Sequence, residues 1–548
     1  MRVRLASGPF SVNAIAGTYV VMFGFDLPVS NCPGLLGFSI HRQDHTENEA
    51  YFLVGQKAFK KTDPGFPAGS LHTTRDHPVQ SFQWADYSAK AGHDYTYTIA
   101  ALNGSPEHLK SFATVAIHIQ TEAADHAGHQ VYFNRGVAGS QAYIRRFGNK
   151  SPDKVANNRA FEWLSRGLYE AMCAFVSQDA GPGTSLRISA YEFHYPPFLN
   201  VIKAAAMAGS DIKIIFDGRK AKPGDLNRKA VKVAGIANLA KQRLANKSYL
   251  SHNKFIVRMK NNIPESVWTG GTNFSDGGIF GHSNVAHVVT DAVIAQAYFD
   301  YWSLLAGDPK NADLGPALET LSPLPAAQAP AGTTPIFSPR PNLDALEWYA
   351  DVAKSAQQGL FMTFAFGINQ VFQDVYNSAS TPLRIALLEQ KTRSMEDGPA
   401  KKAEEKKIDD LRKKVENVFA IGGLVNDNKL EGWVKERLTG LNTHVKYIHN
   451  KFMLVDPLSE DPVVIAGSAN FSDASTTQND ENMLVIRGNK RVADIYLGEF
   501  MRLYNHHAFR ESRKWQKPGE QPKWLREDDW WADYFNGSSR DARRKFFS

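Results

Sequence analysis

Two segments of this 548-residue chain carry the same polar residues in the same order. The first is His252-Asn253-Lys254-Phe255-Ile256-Val257, followed by Gly270-Gly271-Thr272-Asn273-Phe274-Ser275-Asp276. The second is His449-Asn450-Lys451-Phe452-Met453-Leu454-Val455-Asp456, followed by Gly467-Ser468-Ala469-Asn470-Phe471-Ser472-Asp473. In both copies Asn follows His by twenty-one positions and Ser follows by twenty-three. A lone His-x-Lys carries little weight in a chain with 17 histidines. Two ungapped copies sharing a distal Asn-Phe-Ser-Asp mark a duplicated functional element. The residue types suit a phosphoryl group. Lys254 and Lys451 are point charges for non-bridging oxygens, and Asn273, Ser275, Asn470 and Ser472 can donate hydrogen bonds. His252 and His449 can attack phosphorus or move a proton.

These residues need a scaffold. Polar and apolar positions alternate from His449 to Val455, so His449 and Lys451 share one strand face while Asn450 points the other way. Val463 to Ala466 reads as a second strand, with Asn470 and Ser472 in the loop after it. Upstream, Ala160–Val176 has helical spacing, Leu186–Phe193 is strand-like, Phe198–Ala208 helical and Asp211–Phe216 an apolar strand. The order recurs with a helix over 343–356, a strand over 360–366, a helix over 371–378 and a strand over 383–388. This β–α–β order predicts an α/β fold with parallel or mixed sheets. Eight prolines between Pro309 and Pro341 predict an extended, irregular connector between the two α/β stretches. Short apolar runs between turn residues over the first 120 or so residues predict a β-sandwich.

Composition excludes other classes. Apolar residues are 43% and charged residues 22%, which is ordinary for a globular protein. No apolar run approaches the ~20 residues of a membrane span, and the first twenty-five residues lack a signal-peptide apolar region. Two cysteines, Cys32 and Cys173, exclude a disulfide scaffold and suit a reducing compartment. The expectation is a cytoplasmic protein, with a place at the membrane periphery as the alternative. The net charge of +7 is concentrated: nine basic residues and one acid, Asp225, lie between Arg219 and Lys247. Such a stretch beside a site attracts polyanions, or else is a solvated face. A second charged stretch, Lys391–Glu416, interleaves opposite charges and predicts an exposed helix.

The duplicated motif resembles the phospholipase D superfamily, whose signature is His-x-Lys with an Asp five residues beyond the Lys, usually present twice. The resemblance covers roughly residues 150–510. It implies two α/β repeats packed about a pseudo-two-fold axis as one catalytic unit, preceded here by the N-terminal β-sandwich. It also implies a phosphohistidine on one His, proton transfer by the other, no metal or other cofactor, and no need of an oligomer. The second copy is complete, with Asp456 in place as a structural support; the first has Met259 there. The family places a Glu downstream to orient the His. Glu481 stands thirty-two residues after His449, and Asn284 at the same offset from His252. Pairing each His with the partner of its own copy gives His449 the carboxylate and makes it the nucleophile, with His252 as general acid.

The expected organisation is therefore residues 1–122 as a β-sandwich, in which 95–104 resembles a late fibronectin type III strand; 123–308 as the first repeat; 309–342 as a Pro-rich linker; 343–510 as the second repeat; and 511–548 as a Trp- and Arg-rich tail docked on the body. Catalytic candidates are His252, Lys254, His449, Lys451 and Glu481, with Asn273, Ser275, Asn470 and Ser472 binding substrate and Asn284 and Asp456 in support. His287 and His444 are expected near the site; Tyr191 and Glu192 either line the cleft or serve the core. The preferred activity is phospholipid hydrolysis. A nuclease with little sequence specificity is the alternative, since the basic stretch lacks aromatic residues for base stacking. A weakly catalytic phosphate-binding protein, or a protein partner bound through the β domain, is the remaining class.

Overall fold

The computed structural model describes residues 1–66, 70–126, 128–136, 140–148, 150–219, 221–245, 248–392, 396–423, 446–514 and 524–548. His444 and Trp515 lie outside the described residues, as do Lys220 and Lys247 of the basic stretch. No helix among the described residues is long and apolar enough to cross a membrane.

The N-terminal part consists of two four-stranded antiparallel sheets. One has the order Arg2–Ser7, Phe10–Ala16, Val21–Asp26, Gln83–Asp86; the other His108–Gln120, Asp94–Ser105, Gly37–Asp44, Glu49–Phe52. Along Asp94–Ser105 burial alternates residue by residue as far as Ala101, as a strand with one core face requires. The inward Tyr95, Tyr97 and Ile99, with Phe38 of the neighbouring strand, meet Phe10, Phe23 and Phe25 of the facing sheet in one core.

Two seven-stranded sheets follow. The first has the order His129–Phe133, Val285–Val289, Ile263–Gly270, Lys254–Lys260, Thr184–Ala190, Asp211–Asp217, Ala240–Arg243. The second has Gly332–Ser338, Glu481–Arg487, Val463–Gly467, Phe452–Val455, Leu360–Phe364, Arg384–Leu388, Asn417–Ile421. In each, the last three strands are mutually parallel and the other pairings antiparallel. Identical strand order and polarity make the two units repeats of one design. They share a core: Phe255, Val257 and Val285 of one sheet join Phe361, Phe452, Leu454 and Ile486 of the other, together with the helices Ala292–Ala306 and Lys490–Lys514. Separate apolar clusters cover the outer faces.

The Pro-rich stretch is a correction. It forms the helix Asn311–Leu321, with Pro316 inside it, and the strand Gly332–Ser338, which pairs with Glu481–Arg487. Pro335 fits because this strand is an edge, and an edge leaves one row of N–H groups without a ladder partner. The residues expected to separate the repeats thus build the second one. The charged stretch forms the helix Pro399–Arg412, anchored by Ile408 and Leu411.

The helix Lys490–Lys514 runs through position 510, and the described part of the tail beyond it docks on the sandwich. Trp530 enters the sandwich core and donates its ring N–H to the Leu35 carbonyl at 2.7 Å. The final helix, Ser539–Phe547, lies against Val21–Asp26, where a Cβ on Gly24 would stand 2.0 Å from the Phe547 carbonyl oxygen. Glycine is what permits that approach.

Candidate active site

Each motif histidine lies two or three residues before the central strand of its sheet, Lys254–Lys260 or Phe452–Val455, and a loop from the opposite repeat holds it. The His252 N–H donates to the Asp480 carbonyl at 3.0 Å, and the His449 N–H donates to the Ser283 carbonyl at 3.1 Å. Parallel bridges Ser251–Asp480 and Ser283–Ile448 extend both contacts. The residue after each bridging carbonyl is a side-chain acceptor, so the acceptors cross over. His252 Nδ1 donates to Glu481 Oε2 at 2.9 Å, and His449 Nδ1 donates to Asn284 Oδ1 at 2.9 Å. This corrects the within-copy pairing: the carboxylate serves His252, and the amide serves His449. In both rings the bond at Nδ1 leaves Nε2 as the free nitrogen.

Lys254 and Lys451 lie beside the histidines, each donating to the carbonyl of its own motif histidine. His252, Lys254, His449 and Lys451 are each at most 4% exposed. Beneath them Asn253 receives an N–H from Asn482 at 2.8 Å and donates to Tyr301 at 2.8 Å. The equivalent Asn450 is also fully buried.

Burial without enough counter-charge depresses these cations. Desolvation lowers Lys254 to about 7, opposed by Glu481, Glu192 and Asp217. Desolvation, reinforced by Lys254, takes Lys451 well below the usual lysine range. His449 is driven well down by burial and then by Lys451. Burial lowers His252 too, and Glu481 opposes the shift. An anion brought beside these groups would favour their charged forms.

The flanking residues differ. Asn273 and Asn470 each present a buried side-chain oxygen that meets no donor among the described residues. Ser275 and Ser472 are otherwise engaged. Ser275 Oγ donates to Glu192 Oε2 at 2.5 Å and accepts from the Gly278 N–H at 3.1 Å, while Ser472 Oγ caps the helix Asp473–Thr477 by accepting from the Ser475 N–H. Asp456 accepts the N–H groups of Gln357, Gln358 and Gly359 and so ties strand to loop. Met259, its counterpart, sits in the shared core at 3% exposure.

Tyr191 does line the site: its ring centroid is 4.9 Å from that of His252 and 5.1 Å from Lys254 Nζ. On the other side His282, which the sequence did not single out, packs its ring 4.6 Å from His449. Its Nδ1 bonds the Gly277 carbonyl, and burial and then Lys451 lower it to about 3. His287 is a correction. It bonds His129 and Tyr496 within the core rather than serving the motif.

Part of the basic stretch is spent on internal partners. Arg219 pairs with Asp217, and Arg228 with Asp225. Lys241 donates to the Ala306 carbonyl. Arg243, 1% exposed, grips Asp480 through two nitrogens and Asp308 through a third. Lys222, Lys229 and Lys232 are exposed.

Comparison with known proteins identifies the family. The family model described as cardiolipin synthase, PLD-like domain, matches residues 179–303 and 350–504. No curated protein matches the sequence. Among solved structures, the chain is similar to phosphatidylserine synthase of Haemophilus influenzae Rd KW20, at 12% identity over 63% of this chain and 85% of that one, with a TM-score of 0.43. It is similar to Nuc, a phospholipase D family member from Salmonella typhimurium, at 22% identity over 33% and 94%, with a TM-score of 0.22. It also resembles polyphosphate kinase from Porphyromonas gingivalis, at 11% identity over 60% of this chain but 46% of that one, with a TM-score of 0.38. The family model spans about half of the chain and takes in both His-Asn-Lys segments, so the chain belongs to the phospholipase D-like family of phosphodiester-acting proteins.

Proposed function

We propose that the protein is a metal-independent phosphodiesterase that works through a phosphohistidine on His252 and hydrolyses phospholipid. The observation that carries this reading is the crossed pairing of His252 with Glu481 and His449 with Asn284 around one buried pair of lysines. Lys254 and Lys451, with Asn273 and Asn470, hold the non-bridging oxygens. His252 Nε2 attacks phosphorus, and Glu481 stabilises the positive charge that develops on the ring. The P–O bond to the leaving alcohol breaks, and that oxygen takes a proton from His449 Nε2. In the free protein burial disfavours the charged His449 ring; the anionic substrate restores it. Neutral again, His449 accepts a proton from water, the hydroxide oxygen bonds phosphorus, and the P–N bond to His252 breaks.

The lipid substrate is favoured because the stretch expected to grip nucleic-acid phosphates has its arginines committed to Asp217, Asp225, Asp308 and Asp480. The test is a parallel assay of labelled phospholipid vesicles and of single- and double-stranded DNA in EDTA. EDTA-resistant release of headgroup, unaffected by Lys222, Lys229 and Lys232→Ala, is the expected result. DNA cleavage that those substitutions weaken would establish the nuclease reading. Tight binding without turnover would establish the binding-protein reading.

A further inference from the structure

Two buried carboxylates outside the motifs occupy equivalent places in the repeats. Asp217 ends the strand Asp211–Asp217, and Glu389 directly follows the strand Arg384–Leu388. The registers match: Phe216 pairs with Ala190, which pairs with Lys254, and Leu388 pairs with Phe364 on the strand beside Phe452–Val455. Each carboxylate accepts the N–H of the residue just before its own repeat's motif histidine. Ser251 N–H reaches Asp217 Oδ2 at 3.0 Å, and Ile448 N–H reaches Glu389 Oε2 at 2.7 Å. Asp217 is completed by Arg219. Glu389 is completed by two more backbone N–H groups, Lys446 at 2.8 Å and Tyr447 at 3.1 Å.

We propose that Asp217 and Glu389 are positioning residues of the two half-sites: each holds the backbone leading into its motif histidine and sets a carboxylate at the same end of the sheet as its repeat's lysine. Lys254 faces Glu481, Glu192 and Asp217, with the Tyr191 ring over it. Lys451 faces Glu481, Glu192 and Glu389, against Lys254, with His449 and His282 adjoining; burial pushes Glu389 itself up to about 7 against its three backbone N–H donors, so it is a charge on Lys451 on the alkaline side of that value. Within this set Asp217 acts on Lys254 and Glu389 on Lys451. Removing either leaves the lysine of that repeat with only the two shared carboxylates, Glu481 and Glu192, so that lysine gives up its proton at lower pH. The same change loosens the peptide that aims the histidine, which lowers turnover more than binding.

This inference rests on the hydrolase reading for its kinetic test, and a second measurement separates the two. The first measurement is cleavage of bis(4-nitrophenyl) phosphate from pH 5 to 10 by the full chain and by its Asp217→Asn and Glu389→Gln variants. The expected result is a loss in kcat of about ten-fold or more with KM within about three-fold, and an alkaline limb moved to lower pH by about half a unit or more. Glu389→Asp keeps the charge but shortens the reach, so kcat falls while the limb stays. It carries the test should Glu389→Gln fail to fold. The second measurement is calorimetric binding of sulfate, a dianion throughout this pH range, whose affinity in the amide variants falls off at lower pH than in the parent. An unmoved limb, together with a sulfate profile that coincides with the parent's, would reduce both carboxylates to structural supports and overturn the proposal. A parent that cleaves no diester, with a sulfate profile that still shifts in the variants, would end the hydrolase reading and leave this one standing.

Discussion

His252 Nδ1 and Glu481 Oε2 meet at 2.9 Å across 229 positions of sequence, from one repeat to the other. The bond orients the ring and sets a negative charge behind it, while His449 has only a neutral amide. Two imidazoles of like sequence context are thereby made chemically unequal.

Glu481→Gln keeps the hydrogen-bonding shape and removes the charge. Turnover should fall by about 10²–10⁴-fold with little change in KM, because the charge acts when the ring becomes cationic. Steady-state kinetics with bis(4-nitrophenyl) phosphate checks this; a loss confined to KM would contradict it.

His252→Ala should abolish labelling of the protein by a ³²P-diester. His449→Ala should still give a burst of labelled His252 with a 4-nitrophenolate leaving group, which needs no proton, and then stall. Mass spectrometry of the quenched protein locates the label. Label on His449 would reverse the roles.

Lys254 has a folded-state pKa of about 7, against an ordinary value near 10.5. Between those values the unfolded chain binds more protons than the folded one, so folding stability rises with pH across that window. Below about pH 7 the buried ammonium costs stability in full. Lys254→Met should therefore raise the melting temperature at pH 6 and flatten the rise between pH 7 and 10. Thermal scans at a series of pH values check it, and added sulfate should produce a similar flattening in the parent.

Arg243 is enclosed between Asp480 and Asp308. Arg243→Ala strands Asp480 in a buried place and should cost about 3–5 kcal/mol of stability in denaturant unfolding. Because the Asp480 carbonyl holds the His252 N–H, activity should fall even under conditions where the variant remains folded.

The sequence alone determined the duplication, the strands that carry it and the β–α–β order on either side. Thr184–Ala190, Pro196–Met207, Asp211–Asp217, Asp344–Lys354 and Gln370–Ser378 fall within a few residues of where periodicity predicts them. This holds because local burial patterns follow the period of each element. What the tertiary structure decided is which residues meet. Glu481 and Asn284 stand at the same offset from His449 and His252, so spacing fits within-copy and crossed pairing equally. Only the docking of the two sheets selects the crossed one. Asp217 and Glu389 are equivalent in space yet stand thirty-five and sixty residues before their histidines, and unequal loop lengths hide that match from any alignment by offset. Pro335 reads as a breaker because an isolated segment does not reveal that it will lie on the edge of a sheet. Arg243 reads as surface charge because its two carboxylates, Asp480 and Asp308, arrive from distant parts of the chain. In each case the deciding contact is long-range, and a residue's type and neighbours carry no information about what the folded chain brings against it.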